Sequence, residues 1–93
     1  MDNSELLTEC KIALNISLNT TALDGVLLQK LRAVKGFMAN AGVSAEDMDS
    51  DLATGVITLG VADIWQLEGG EVKFSPVFYT LLSQLAIKSG GGR

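Results

Sequence analysis

Apolar and polar positions recur along the chain in helical spacing, broken by polar links into four stretches. The longest stretch nearly free of charge is DLATGVITLGVADIWQL, residues 51–67, which Asp63 alone interrupts after Asp51. It predicts a helix that is apolar nearly all round and needs cover on several sides. On a wheel, Leu52, Val56, Leu59 and Leu67 share one face, with Asp63 among them. Ile57, Val61, Ile64 and Trp65 lie opposite, and this tryptophan face is read as the core. Two apolar faces imply two neighbours, and Gly55 and Gly60 leave room for a close backbone. The β-friendly Val56-Ile57-Thr58 argues for a strand over 55–61, but the run is too long and its alternation too poor.

The flanking stretches are amphipathic. Asp2 and Glu5 form a capping box for a helix over 3–15. Leu6, Cys10, Ala13 and Leu14 share its inner face, with Leu7 beside them and Glu9 and Lys11 off it. The polar run 15–21 breaks the pattern, with Ile16 and Leu18 expected to tuck back. Thr21 and Asp24 resemble a second capping box, opening a helix over 22–41. Leu23, Val26, Leu27, Leu31, Val34, Phe37, Met38 and Ala41 fill one arc of it, and Asp24, Gln29, Arg32, Lys35 and Asn40 the other. Lys30 intrudes on the apolar arc, and Leu28 sits toward the polar side. Gly36 costs some helix stability and permits a close neighbour or a slight bend, and Gly42 suits the helix end. Residues 44–50 read as a solvated acidic connector whose Ser50 or Asp51 caps the next helix. After a turn at Gly69-Gly70, residues 71–74 suit a short extended segment. Ser75-Pro76 then starts a helix over 76–88. Its inner stripe is Phe78, Leu81, Leu82 and Leu85, with Tyr79 and Ile87 outside. Residues 89–93 read as a Gly-rich tail outside the fold. The prediction is a single all-α domain over 1–88, a bundle of four helices anchored by Leu27, Leu31, Phe37, Trp65, Phe78, Leu81 and Leu82.

Composition narrows the function. A 93-residue domain buries roughly 60–65% of its unfolded surface, so its core is thin. The net charge of −4 and the scattering of seven basic residues argue against binding nucleic acid by phosphate neutralisation. One cysteine and no histidine exclude a disulfide framework and leave the commonest acid–base group missing. Cys10 reads as a small buried hydrophobe that fits a reducing compartment. Asp47, Asp49 and Asp51 lack the glycine and terminal glutamate of a calcium loop. The residues therefore predict no enzyme, no metal and no cofactor. No apolar run is long enough to span a bilayer, and the acidic start is unlike a signal peptide. Lys30 and Asp63, each interrupting an apolar arc, suit either a buried ion pair or separate snorkelling at the domain edge. Leu28 and Trp65 are candidate subunit contacts, although Trp65 also suits an ordinary core position.

The order of these pieces resembles a known family. A short helix ends at Leu14-Asn15-Ile16, and a polar link leads to a long amphipathic helix from Leu23 to Ala41. An acidic connector follows, then an apolar helix ending in Val61-Ala62-Asp63-Ile64-Trp65. A glycine-containing turn and the helix opening Ser75-Pro76-Val77-Phe78-Tyr79-Thr80-Leu81-Leu82 complete it. This resembles the small head–tail connector (adaptor, or DNA-packaging) proteins of long-tailed bacteriophages and prophages. The segment after the aromatic, rich in arginine or asparagine in that family, is here Gln66-Leu67-Glu68-Gly69-Gly70. The link between the first two helices is also light on acids. The resemblance implies a structural protein of the virion, assembled in the host cytoplasm. It would form a homo-oligomeric ring between portal and tail-completion proteins and leave a channel for DNA. Leu28, Lys30, Leu52, Val56, Leu59 and Asp63 are then the candidate subunit interface. Gly69, Gly70, Glu71 and Lys73 are the candidate partner loop. An acidic wall suits DNA that must slide without sticking.

Overall fold

A computed structural model describes residues 2–67 and 72–90. Four α-helices pack as a bundle: α1 (Asn3–Ala13), α2 (Asp24–Asn40), α3 (Asp51–Trp65) and α4 (Pro76–Lys88). One 3-10 turn, Asp47–Asp49, lies in the acidic connector. No strand occurs among the described residues, so the all-α expectation holds. Residues 72–75, read above as partly extended, carry no regular structure, and Glu71 lies outside the described residues.

The helix ends follow from local chemistry. Asp2 and Glu5 make the expected capping box: the Glu5 N–H donates to Asp2 Oδ1 at 2.8 Å and the Asp2 N–H to Glu5 Oε1 at 3.4 Å. Ser50 caps α3 through the Ala53 N–H, and Ser75 caps α4 through the Phe78 N–H, with Pro76 in the first turn. The start of α2 differs from expectation. Leu23 is its cap residue, without a side-chain bond, and Thr21 forms no capping box. The Asp24 carboxylate is drawn instead to Lys11. At the far end, Gly42 adopts φ 108° and the Val43 N–H returns to the Met38 carbonyl at 3.1 Å. This Schellman closure needs a left-handed residue, which glycine supplies without strain. Asn15, at φ 59°, closes α1 in the same way, with the Ile16 N–H reaching Lys11 O at 2.8 Å.

α3 is the central helix and packs against α1, α2 and α4. Its buried residues are Ala53, Val56, Ile57, Gly60, Val61 and Ile64. They step by three and one, which is one continuous helical stripe rather than two opposed faces. Val56, expected at a subunit interface, is fully buried in this core. Leu59, Trp65 and Leu67 are half-buried flanks packed on the core, and Leu52 is exposed. All three neighbours of α3 therefore come from its own chain. Around the stripe lie Leu6 and Cys10 of α1, Leu27, Leu31, Val34 and Met38 of α2, and Phe78, Leu82 and Leu85 of α4. Phe37 and Leu81 are half-buried against this cluster, and Leu28 packs there too rather than standing free. Ile16 is half-buried, but Leu18 is exposed and does not tuck back.

Gly60 of α3 faces side chains of both α2 and α4. A Cβ there would lie 2.6 Å from Phe78 Cε1 and 2.8 Å from Val34 Cγ1. The glycine makes room for side chains of α2 and α4, not for another backbone. Gly55 has open space around it and serves no close approach in the folded chain. Phe74 and Phe78 stack at 4.0 Å between centroids, and Phe37 lies 5.0 Å from Phe74. These rings fix the chain entering α4 against the end of the bundle.

Candidate functional site

Charged residues that break the apolar pattern occupy the junctions between helices. Lys30 Nζ donates to the carbonyls of Ile64 at 2.8 Å and Leu67 at 3.0 Å. The Ile64 carbonyl lies in the last turn of α3 and the Leu67 carbonyl just past its end, where a cation is favoured by both hydrogen bonding and the helix dipole. Asp63 Oδ2 accepts from the Ser75 N–H at 2.9 Å and the Ser75 hydroxyl at 2.8 Å. Ser75 Oγ accepts from the Phe78 N–H in turn, so Asp63 holds the first turn of α4. Lys30 and Asp63 thus serve different helix ends and do not form the ion pair considered above.

Two more ties complete the pattern. Lys11, expected off the inner face of α1, is buried. Its Nζ donates to Thr20 O at 2.8 Å and lies 2.7 Å from Asp24 Oδ1, joining α1 to the start of α2. Its stem packs inward while its head finds two oxygens, which is how a buried ammonium is tolerated. At the opposite junction the Ser44 N–H donates to Ser89 Oγ at 3.1 Å, and the Ser89 hydroxyl donates to Asp47 Oδ2 at 2.6 Å. Ser89 and Gly90 therefore belong to the end of α4 rather than to a tail, and the connector is docked rather than merely solvated. Residues 91–93 lie outside the described residues.

These polar groups are structural, and so is the thiol. Burial, then the nearby Glu9 carboxylate, pushes the Cys10 pKa up to about 11. At neutral pH it is a protonated core side chain.

What remains for interaction is the surface. Ile12, Leu18, Leu23, Val26 and Leu52 are large apolar residues left exposed by the helices. Val72, Val77 and Tyr79 are exposed around the start of α4, and Ile87 near its end is 69% exposed. Tyr79 sits against Phe37, Phe74 and Phe78, at 5.8–6.1 Å between centroids. It is a supported aromatic at the surface. Of the expected interface residues, Leu52 is open to solvent, Leu28 and Leu59 are partly so, and Val56, Lys30 and Asp63 are committed within the chain. Of the expected loop contacts, Lys73 is exposed, while Gly69, Gly70 and Glu71 lie outside the described residues.

A groove that the apolar pattern did not predict runs between α2 and the connector. Its volume is about 500 Å³. Gly36, Ala39, Val43, Ala45 and Met48 form its apolar surface, with Lys35 on one wall and Asp49 on the other. Lys35 Nζ donates to Asn3 Oδ1 at 3.0 Å. The signal lay in small residues on the polar side of α2, at Gly36 and Ala39, where a long side chain would have closed the space.

Comparisons of the chain with protein families, curated proteins and solved structures found no match.

Proposed function

We propose that this protein acts by assembly, as a ring-forming subunit at the head–tail junction of a long-tailed phage or prophage. It would join portal to tail-completion protein in the virion after assembly in the host cytoplasm. The observation that carries this reading is the order of elements. It runs from a short capped helix, through a long amphipathic helix and a docked acidic connector, to a central apolar helix ending in Asp63-Ile64-Trp65 and a Ser75-Pro76 helix. The exposed apolar residues support an assembly role, since much of their surface faces away from the chain's own core. Because the bundle covers α3 by itself, subunit contacts fall to outer residues such as Leu52, Val77, Tyr79 and Ile87. A contact between two different patches closes into a ring where the rotation allows. The net negative charge suits a channel wall that DNA passes without binding.

A second reading has its own support. The complete intramolecular core favours a small helical module that binds one protein partner as a monomer. Sedimentation over a range of concentrations, with and without a candidate portal ring, separates the two. Ring-sized species or stoichiometric rings on the portal support the connector. A monomer that ignores the portal contradicts it. The neighbouring genes give an independent check: capsid, portal and tail genes are expected.

A further inference from the structure

α4 is attached differently from the other helices. α1, α2 and α3 each pack against the other two, whereas α4 packs mainly on α3. The first three are also cross-tied by ammonium groups. Lys11 joins α1 to the start of α2, Lys35 joins α2 to Asn3 of α1, and Lys30 joins α2 to the end of α3. The side-chain hydrogen bonds that tie α4 to other elements sit at its two ends, and they use one device twice. Its N-cap Ser75 donates its hydroxyl to Asp63 Oδ2 at 2.8 Å, and its C-cap Ser89 donates to Asp47 Oδ2 at 2.6 Å. Residues 76–87 between them carry no charge, and the Thr80 hydroxyl is turned to the Pro76 carbonyl of the same helix. The body of α4 is held by apolar contact through Phe78, Leu82, Leu85 and Ala86, with the Phe78 ring in the space that Gly60 leaves open.

From this arrangement we infer that α4 is a releasable strap. It lifts off as one unit, parting at its two serine–carboxylate clasps, while α1, α2 and α3 stay packed. An element with fewer cross-ties opens at a lower free energy than the core it covers. The lifted state uncovers the Gly60 face of α3, an apolar seat that the closed bundle hides. This is a conformational device of the single chain and stands apart from the assembly reading.

The test is amide hydrogen exchange of the full chain, isotope-labelled, at low denaturant concentrations. The amides of Leu82, Leu85 and Ala86 are expected to share one opening, with protection about tenfold or more below that of Leu31, Val34, Ile57 and Val61. Two variants separate a lifted α4 from unfolding of the whole chain. Asp24→Ala breaks the tie between α1 and α2, which the lifted state keeps. It should therefore speed exchange in α2 and α3 about tenfold and leave α4 unchanged. Ser89→Ala breaks a clasp and should speed exchange in α4 by about tenfold. Circular dichroism on each variant establishes that it is folded. Equal protection in all helices, α4 exchange that rises with Asp24→Ala as much as α3 exchange does, or α4 exchange unmoved by Ser89→Ala would each overturn the inference. Sedimentation of the same samples reports ring formation separately, so loss of this inference leaves the assembly reading as it stands.

Discussion

α2 and α3 lie side by side and divide their residues in opposite ways. α3 is apolar on almost every side yet fully buries only one stripe, 53, 56, 57, 60, 61 and 64. α2 is amphipathic, and it buries Leu27, Leu31, Val34 and Met38 while its outer side carries Arg32, Gly36 and Ala39. The apolar helix looked like the surface that needed a partner, but its three neighbours are supplied by its own chain. The helix with the ordinary polar face carries the groove. Apolarity reports how many neighbours a helix can use; the fold decides whether those neighbours are already present.

That contrast can be broken first at its centre. Phe78 is buried against Gly60 and Phe74, so Phe78→Ala should cost about 3–5 kcal/mol in chemical denaturation. A loss near zero would mean that α4 does not close the core. Gly60→Val should cost toward the upper end of about 1–3 kcal/mol, because both the Phe78 ring and the Val34 methyl must move.

The junction ties come next. Asp63→Ala releases the Ser75 cap and should cost about 1–2 kcal/mol. Lys30→Met removes the ammonium from the Leu67 carbonyl and takes one of two donors from the Ile64 carbonyl, which keeps the Leu67 N–H, and should cost a similar amount. Since the two share no partner, the double variant should equal the sum to within about 0.5 kcal/mol. Rescue of one by the other would restore the ion pair that the geometry replaces.

On the outer side the sign reverses. Gly55→Ala lies mid-helix in open space and should stabilise by about 0.5–1 kcal/mol. The last effect concerns pH. The Cys10 pKa is raised from 9.0 to about 11, so the folded state holds its proton where the unfolded state releases it. The contribution is fully present below pH 9 and is lost as the pH rises toward 11. Cys10→Ala should flatten that decline in denaturation curves measured across this window.

Much of the fold was legible because helix signals are local. The Asp2–Glu5 box, the Ser50 and Ser75 caps and the Gly42 closure are each settled within a few residues, and 76–88 matches α4 residue for residue. Long-range pairings were not legible. Lys11 reaches Thr20 and Asp24, Lys30 reaches Leu67, and Asp63 reaches Ser75, and no periodicity tells a cation which helix end it will meet. The wheel divided α3 into two faces because it counts apolar residues without knowing where neighbours sit. For the same reason Val56 was placed outside and the Gly36–Ala39 groove was missed.

The central claim is that the bundle is complete in one chain and that the assembly we propose uses only its outer residues. Thermal unfolding followed by circular dichroism across a wide dilution series tests this most directly. The account predicts one cooperative transition whose midpoint is independent of concentration wherever sedimentation shows a monomer. A midpoint that falls steadily on dilution, with helicity lost as the monomer appears, would mean that α3 depends on a second copy and would contradict it.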